Sequence, residues 1–254
     1  MILIKLGGSI ISDKNKPFSF NEDVVRNVAA ELKKFYPEKD FILVHGGGSF
    51  GHPMARKYGI REGAKAGETK KLIGFSHTHE AMLELNEKII DIFLKAELPA
   101  FSISSSSIFI TNNGNIVHGE LKVIKEALKI GLIPVLFGDV VIDESKGMDI
   151  ISGDAIMAYI ANEMMAERAI FLMDVDGIYD KEPGKEDARL IDVIDETTVV
   201  RHGMEKIDVT GGIKNKIQEA MKMDCMVYFI NGLVKGNLTK AIKGEKVGTI
   251  KKRK

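Results

Sequence analysis

The stretch that most constrains this chain is the glycine run 45–53, which reads His-Gly-Gly-Gly-Ser-Phe-Gly-His-Pro. It directly follows the apolar run 41–44, and the pattern turns helical from about Ser49. Glycines let backbone N–H groups approach an anion closely, and a helix N-terminus adds partial positive charge. The stretch therefore predicts a phosphate site, although a purely structural glycine turn would look the same. It is neither a Walker A motif nor a dinucleotide-binding Gly-x-Gly-x-x-Gly motif.

Composition narrows the class of protein. The 254 residues carry 36 basic and 36 acidic side chains, so the net charge gives no sign of a nucleic-acid or membrane-surface partner. Cys225 is the one cysteine in the sequence, which excludes an internal disulfide and a cysteine-rich metal site. We see no signal peptide or transmembrane segment, and we expect a cytoplasmic protein.

Similar turns recur along the chain. Gly7, Gly8 and Ser9 follow the apolar run 1–6, which Lys5 interrupts at a position that favours a nearby anion. Ser152-Gly153-Asp154 precedes a predicted helix over 155–165, where the aspartate is either a helix cap or part of an anion site. Residues 174–180 form an Asp/Gly loop after the buried strand 168–173, and 210–216 open another helix with two glycines and two lysines.

Alternating patterns predict an α/β fold. Strands are expected over 1–6, 40–45, 99–103, 133–137, 168–173, 227–230 and 247–250, with a hairpin over 108–118. Helices are expected between them, one of them capped by Asn21 and ended by Pro37. This order predicts an αβα sandwich with a mostly parallel central sheet and helices on both faces. No linker is visible, so we expect a single domain over 1–254, with lobes of about 1–137 and 138–254.

A long helical pattern follows Ser76. Its apolar stripe of Met82, Leu85, Ile89 and Phe93 is first of all core, but part of it would suit a pocket for an apolar substrate tail. His77 and His79 lie two residues apart, on different sides of a helix, with no cysteine or third histidine nearby. We expect them to be structural rather than metal ligands.

Taken together, five motifs resemble the amino acid kinase superfamily in order and over almost the whole chain. They are 5–9, 45–48, 152–154, 174–179 and 211–216. Within the superfamily, the extension 49–53 and the run 138–154 resemble the isopentenyl phosphate kinases. The resemblance implies the amino acid kinase fold, a homodimer, and ATP-dependent phosphorylation of isopentenyl monophosphate to the diphosphate with Mg²⁺, in an alternative mevalonate route.

The resemblance also implies roles for individual residues. The catalytic group would be Lys5, Lys14, His52, Asp154 and Lys216, with Asp154 holding Lys5 and Lys216 in place. The acceptor phosphate would contact Gly47, His52 and Gly153. The nucleotide would contact Lys5, Gly7, Gly8, Ser9, Gly48, Asp174, Tyr179, Gly212 and Lys216. No protein metal ligand is implied, and Mg²⁺ would be held mainly by the phosphates.

The chemistry fits these residue types. A phosphate monoester has its second pKa near 6, so it is already largely ionised and needs no general base. The barrier is repulsion between two anions, which lysines, backbone N–H groups and Mg²⁺ offset. Fosfomycin or another small phosphonate or phosphate remains the alternative acceptor. A non-catalytic nucleotide-binding module remains the alternative of a different class, because fold alone does not establish function.

Overall fold

The computed structural model describes residues 1–13, 15–195 and 212–253. Its centre is an eight-stranded sheet in the order β10-β12-β11-β9-β1-β2-β6-β3. All neighbouring strands in this sheet run parallel except β11 and β12. Its strands are β1 (Ile2–Leu6), β2 (Phe41–His45), β3 (Ala100–Ser102), β6 (Ile133–Phe137), β9 (Arg168–Met173), β10 (Val193–Ile194), β11 (Met226–Asn231) and β12 (Thr249–Lys251). The predicted mostly parallel α/β sheet is confirmed.

Helices cover both faces of the sheet. They are α1 (Gly8–Ile11), α2 (Glu22–Lys33), α3 (Gly48–Lys57), α4 (Thr69–Lys95), α5 (Ser105–Ile108), α6 (Lys122–Lys129), α7 (Gly153–Glu163), α8 (Gly212–Lys222) and α9 (Asn237–Lys243), with a 3₁₀ turn at Ile60–Glu62. In the described ranges, no helix is long and apolar enough to cross a membrane.

Alternation along β1 divides the core between the two faces. Ile2, Ile4 and Leu6 pack into one buried cluster, together with α2 and α4. Leu3 packs into the other cluster with residues of α7. Because side chains alternate along a strand, Lys5 shares the face of Leu3 and lies next to α7. The strand order also places β2, β6 and β3 on one side of β1, and β9, β11, β12 and β10 on the other.

A second sheet has four strands in the order β5-β4-β7-β8. The predicted hairpin is its outer half, with β4 (Phe109–Asn112) antiparallel to β5 (Asn115–Gly119). The other half is β7 (Asp139–Asp143) antiparallel to β8 (Gly147–Ile151), which the sequence patterns did not predict as strands. The side chain of Asp143 links the β4–β5 turn to the β7–β8 turn. It accepts hydrogen bonds from the N–H groups of Gly114 and Lys146 and from the hydroxyl of Thr111.

Some predicted element ends were wrong. The long helix α4 begins at Thr69, well before Ser76. Asn21 does precede α2, but its side chain makes no capping hydrogen bond.

Candidate active site

The site lies where several parallel strands end. β1, β2 and β9 end side by side at Leu6, His45 and Met173, each followed by one of the predicted motifs. Carboxyl ends of neighbouring parallel strands share one edge of a sheet, which is where ligands bind in open α/β folds. The two glycine turns touch there: a Cβ on Gly8 would lie 3.0 Å from the backbone nitrogen of Gly48.

Ser12 joins the two turns, although sequence reasoning gave it no role. Its hydroxyl donates to the carbonyl of Gly8 at 2.9 Å and accepts from the N–H of Ser49 at 2.9 Å. Gly48 has φ +48°, and a Cβ there would lie 2.1 Å from the Ser12 hydroxyl oxygen. Glycine is therefore required at position 48 both for conformation and for space.

Replacing Gly48 with alanine is expected to lower kcat/KM at least tenfold and to lower Tm, because the methyl group would displace Ser12 and separate the two turns. The matched control is Gly67→Ala, since Gly67 also has positive φ but a Cβ there meets nothing within 4 Å. Kinetics of the two purified variants test the claim. Equal effects in both would mean that backbone strain alone acts, and that the contact with Ser12 is unimportant.

Lys5, Asp154 and Lys216 form one cluster, as the motif resemblance implied. Lys5 forms an ion pair with Oδ1 of Asp154, and Nζ of Lys216 lies 3.1 Å from the same oxygen. The side chains of Lys5 and Asp154 are only 7% and 9% exposed. One buried carboxylate thus holds two ammonium groups at the edge of the sheet.

Aromatic and electrostatic surroundings adjust this cluster. Nζ of Lys5 and Nζ of Lys216 lie 5.9 Å and 5.3 Å from the ring centre of Phe171 on β9, which attracts both cations. Burial lowers the pKa of Lys5 to about 8, although Asp154 opposes the shift. Burial also acts to raise the pKa of Asp154, but the two lysines outweigh it and lower that pKa to about 2. The carboxylate is therefore a structural anion and not a proton acceptor at neutral pH.

The start of α7 explains which residue caps the helix. The hydroxyl of Ser152 accepts the N–H of Ala155 at 3.1 Å, so Asp154 is not the side chain that caps α7. A Cβ on Gly153 would lie 2.9 Å from Cε of Lys5 and 3.3 Å from the carbonyl oxygen of His45. Glycine at 153 therefore leaves room for the Lys5 side chain.

Several predicted nucleotide residues follow β1 and its neighbour β9. The hydroxyl of Ser9 donates to Asp174 at 3.0 Å, which joins the β1 turn to the end of β9. Gly7 donates its N–H to Leu172, and Tyr179 pairs with Leu190 in a short bridge. Gly212 begins α8, the helix that carries Lys216. Ser9 and Asp174 also line an open cavity of about 550 Å³, together with residues before α2 that include Ser12, Asp13 and Ser19. Lys14 and Gly211 lie outside the described residues.

Two of the residues predicted to bind the acceptor, Gly47 and His52, lie at the start of α3. Gly47 precedes the first turn of this helix, and the His52 side chain is exposed one turn further on. Pro53 cannot donate to Ser49, whose carbonyl instead accepts the N–H of Phe18 at 3.3 Å. The ring of Phe18 packs edge-on against Phe50. The loop before α2 is thereby attached to the helix that carries His52.

Comparison with known proteins identifies the family of this chain. Residues 1–223 match the amino acid kinase family model. An isopentenyl phosphate kinase of Methanocaldococcus jannaschii is 39% identical, over 98% of this chain and 97% of that protein. The chain belongs to the isopentenyl phosphate kinases of the amino acid kinase family. A second isopentenyl phosphate kinase, from Methanothermobacter thermautotrophicus, is 35% identical over 97% of both proteins. A crystal structure of an isopentenyl phosphate kinase, 34% identical, superposes with a TM-score of 0.86 and covers 99% of both chains.

In this member of the family, α4 has two distinct faces. Met82, Leu85, Ile89 and Phe93 are at most 1% exposed, so this stripe is core, as its first interpretation held. Met82 alone reaches the site, because a Cβ on Gly51 would lie 2.6 Å from its sulfur. The neighbouring face borders an open cavity of about 730 Å³. Its apolar lining residues are Phe18, Met54, Ala81, Leu83 and Ile90, and its polar ones include Glu80, Glu84 and Glu87.

Sequence reasoning missed Asp139, the hydrogen-bond partner of His79. His79 was expected to be structural, and its Nδ1 lies 2.7 Å from a carboxylate oxygen of Asp139, which is buried at the start of β7. That hydrogen bond raises the pKa of His79. His77 instead lies 3.2 Å from Glu80 and stacks on Tyr58. The only local signal for Asp139 was a carboxylate directly after an apolar strand and a glycine.

Proposed function

We propose that this protein transfers the γ-phosphoryl group of ATP to isopentenyl phosphate, giving isopentenyl diphosphate and ADP. The observation that carries the proposal is the pair of lysines, Lys5 and Lys216, held by a single oxygen of Asp154 beside the touching glycine turns. Such a pair places two positive charges where a phosphoryl group would pass between two anionic molecules.

The chain's own residues account for each part of the reaction. An acceptor phosphate oxygen forms a bond to the γ-phosphorus, and the bond from that phosphorus to the β,γ-bridging oxygen breaks. The acceptor is ionised at neutral pH, so no residue has to remove a proton. Lys5 and Lys216 stabilise the equatorial charge, and each well-placed donor is commonly worth roughly 3–4 kcal/mol. Asp154 keeps both ammonium groups from repelling each other out of position.

The nucleotide and its metal fit the residues present. Gly7, Gly8 and Gly48 have no side chains, so their backbones would approach the ATP phosphates closely. Among residues 1–13, 15–195 and 212–253, no group of three or more metal-ligating side chains occurs. We therefore propose that Mg²⁺ is held mainly by phosphate oxygens, where it would neutralise charge on the transferring group.

The acceptor would bind between α3 and α7. We propose that its phosphate contacts Gly47, His52 and Gly153. The apolar part of the open cavity beside α4 includes Met54, two residues after His52. A short hydrocarbon tail would gain about 25 cal/mol for each Å² of apolar surface that it buries there. In this scheme, residues of about 1–137 form the acceptor-binding lobe and those of about 138–254 the nucleotide-binding lobe, and the ATP phosphates also meet the glycine turns of the first lobe.

A panel of acceptors tests the proposal directly. ADP release would be measured with ATP, Mg²⁺ and each of isopentenyl phosphate, dimethylallyl phosphate, fosfomycin, acetylglutamate and uridylate. We expect the highest kcat/KM with isopentenyl phosphate. Its isomer dimethylallyl phosphate should come next, because only these two combine a phosphate with a short, branched apolar tail. Turnover of fosfomycin alone would support the proposed reaction type but show that the proposed acceptor is wrong. No turnover with any compound would favour a non-catalytic nucleotide-binding module.

Removing the acceptor-side histidine provides a second test. His52→Ala is expected to raise KM for isopentenyl phosphate and to lower kcat, together about 10²-fold in kcat/KM, because a hydrogen bond to a charged oxygen is lost. KM for ATP should change less than twofold. His118→Ala, which changes an exposed histidine on β5, is the matched control. Unchanged kinetics in His52→Ala would show that His52 has no role in the reaction.

We also propose a homodimer formed through α4 and the edge strand β3. Leu94 and Phe101 are 54% and 39% exposed on this side of the molecule. β3 pairs with β6 alone among the described strands, so its other edge is open. Analytical ultracentrifugation of the wild type against Leu94→Asp would test this, and two monomeric proteins would refute it. A cytoplasmic location stays an expectation from the sequence.

A further inference from the structure

A chain of hydrogen-bonded polar side chains lies beneath the acceptor-side glycine turn, and two of them, His45 and Asn86, are buried. It begins at Ser102 on β3, whose hydroxyl donates to the side-chain oxygen of Asn86 on α4. The side-chain nitrogen of Asn86 lies 3.1 Å from Nε2 of His45. Nδ1 of His45 lies 3.1 Å from the carbonyl oxygen of Gly46. His45 and Asn86 are 0% and 2% exposed, and the imidazole stacks on Phe137 with ring centres 5.2 Å apart.

The direction of each hydrogen bond follows from what each group can do. The carbonyl of Gly46 can only accept, so Nδ1 of His45 must carry a proton. Burial lowers the pKa of His45 to about 4, so the ring is neutral at working pH and Nε2 is an acceptor. Asn86 must then present its NH₂ group to Nε2 and its oxygen to Ser102. The opposite amide orientation would set two acceptors against each other.

The bond to Gly46 has a consequence for the next residue. In a trans peptide, the carbonyl of one residue and the N–H of the following residue point in opposite directions. Holding the Gly46 carbonyl against the imidazole therefore turns the N–H of Gly47 away from it. Consecutive glycines have no Cβ to restrict rotation, so this peptide would otherwise populate several orientations.

The position of His45 leaves little other reason for its polarity. It completes β2 after Phe41–Val44, which are all buried and apolar, and it faces Phe137. A phenylalanine or leucine would fill this place without the cost of burying imidazole and amide groups. The ring is also close enough to Lys5 for that charge to disfavour its protonation. A neutral imidazole is thus the form in which His45 can lie beside the catalytic lysine.

We infer that His45 is a positioning residue for the acceptor phosphate: through Nδ1–H it fixes the Gly46–Gly47 peptide so that the N–H of Gly47 faces that phosphate. Asn86 and Ser102 in turn fix the tautomer of His45. The inference rests on the proposed function in one respect, because it takes Gly47 as part of the acceptor site. It assigns no proton transfer to His45.

Three substitutions at His45 separate its contacts. His45→Asn places an amide nitrogen near the position of Nδ1 and keeps a donor for Gly46. His45→Gln extends its amide toward Asn86 and loses that donor. His45→Phe keeps the ring on Phe137 and loses both contacts. We expect KM for isopentenyl phosphate to rise roughly tenfold or more in the Gln and Phe variants and only a few-fold in Asn, with KM for ATP within twofold throughout.

A fourth variant, Asn86→Leu, leaves the Nδ1–H of His45 in place as donor to Gly46 but removes the group that selects the tautomer of His45. We expect an intermediate rise in KM for isopentenyl phosphate. Lower Tm with unchanged KM in all four variants would overturn the inference, since a purely structural role predicts that result. Equal kinetics in His45→Asn and His45→Gln would overturn it as well.

A spectroscopic measurement tests the relay without any acceptor. Long-range ¹H–¹⁵N spectra of ¹⁵N-labelled protein report which imidazole nitrogen carries the proton, and the His45 signal is assigned by its loss in His45→Phe. We expect the Nδ1–H tautomer from pH 6 to 9 in the wild type, and a mixture in Asn86→Leu. The Nε2–H tautomer in the wild type would refute the relay. Should the enzyme prefer another acceptor in the panel, KM is measured on that compound, so that failure of the proposed function is seen separately.

Discussion

Lys5→Met is expected to lower kcat by roughly 10²–10³-fold, the usual cost of removing one preorganised donor from a developing charge. Methionine nearly matches the length of lysine but carries no charge, so it fills the same space beside α7. The ammonium is buried, and burial already lowers its pKa to about 8, which means that the folded state disfavours its charge. Removing that charge therefore costs little stability, while Asp154 keeps Lys216 as its partner at 3.1 Å.

The measurement is single-turnover phosphoryl transfer at saturating ATP and acceptor, with Tm from circular dichroism as the check on folding. Lys246→Met is the matched control, since Lys246 is 70% exposed and pairs with Asp192 far from the cluster. A kcat within threefold of wild type would exclude Lys5 from the transfer step. A large loss of Tm would show that the pair with Asp154 is needed for folding, in contrast to the argument above.

The site was predictable from sequence wherever a strand end and a glycine turn coincide. Lys5 breaks an otherwise apolar strand, and Gly153-Asp154 opens a helix, so each local pattern already marked a polar requirement inside a hydrophobic region. The meeting of Lys5, Asp154 and Lys216 came from resemblance to a family, because the sequence separations of 149 and 62 residues hold no local signal. The fold supports that expectation by placing all three at one edge of the sheet.

What escaped prediction depends on contacts between distant elements. Asn86 reads as one polar residue beside the apolar stripe of α4, and its partners, His45 and Ser102, lie on other elements. Phe171 reads as an ordinary core residue of β9, yet both lysines lie over its ring. β7 and β8 escaped notice because Asp139, Asp143 and Asp149 interrupt their apolar pattern. Buried aspartates of this kind are stable only when other elements supply donors.

Asp154→Asn should do more than remove an organising group, because it leaves two ammonium groups facing each other without a counter-charge. In the wild type, the free enzyme loses the Lys5 proton near pH 8, so kcat/KM is expected to fall about tenfold per pH unit above that value. The substitution removes the carboxylate charge of Asp154, which is the main influence that raises the pKa of Lys5, while burial and Lys216 continue to lower that pKa. The alkaline limb should therefore move to lower pH, with kcat/KM reduced roughly 10²-fold at pH 8 and partly recovered near pH 6.

Stability should change in the opposite pH range. The pKa of Asp154 in the folded protein is about 2, below its ordinary value of 3.8, so its ionised form stabilises the fold above about pH 4. That contribution is lost as the pH falls through 2, and the wild type should lose its advantage over Asp154→Asn there. Asp192→Asn, at an exposed ion pair, is the control for both measurements. Since the acceptor protonates below about pH 6 and sets the acid limb of activity, only a shifted alkaline limb is specific to the cluster. A profile parallel to that of the wild type would mean that Asp154 does not maintain the charge on Lys5.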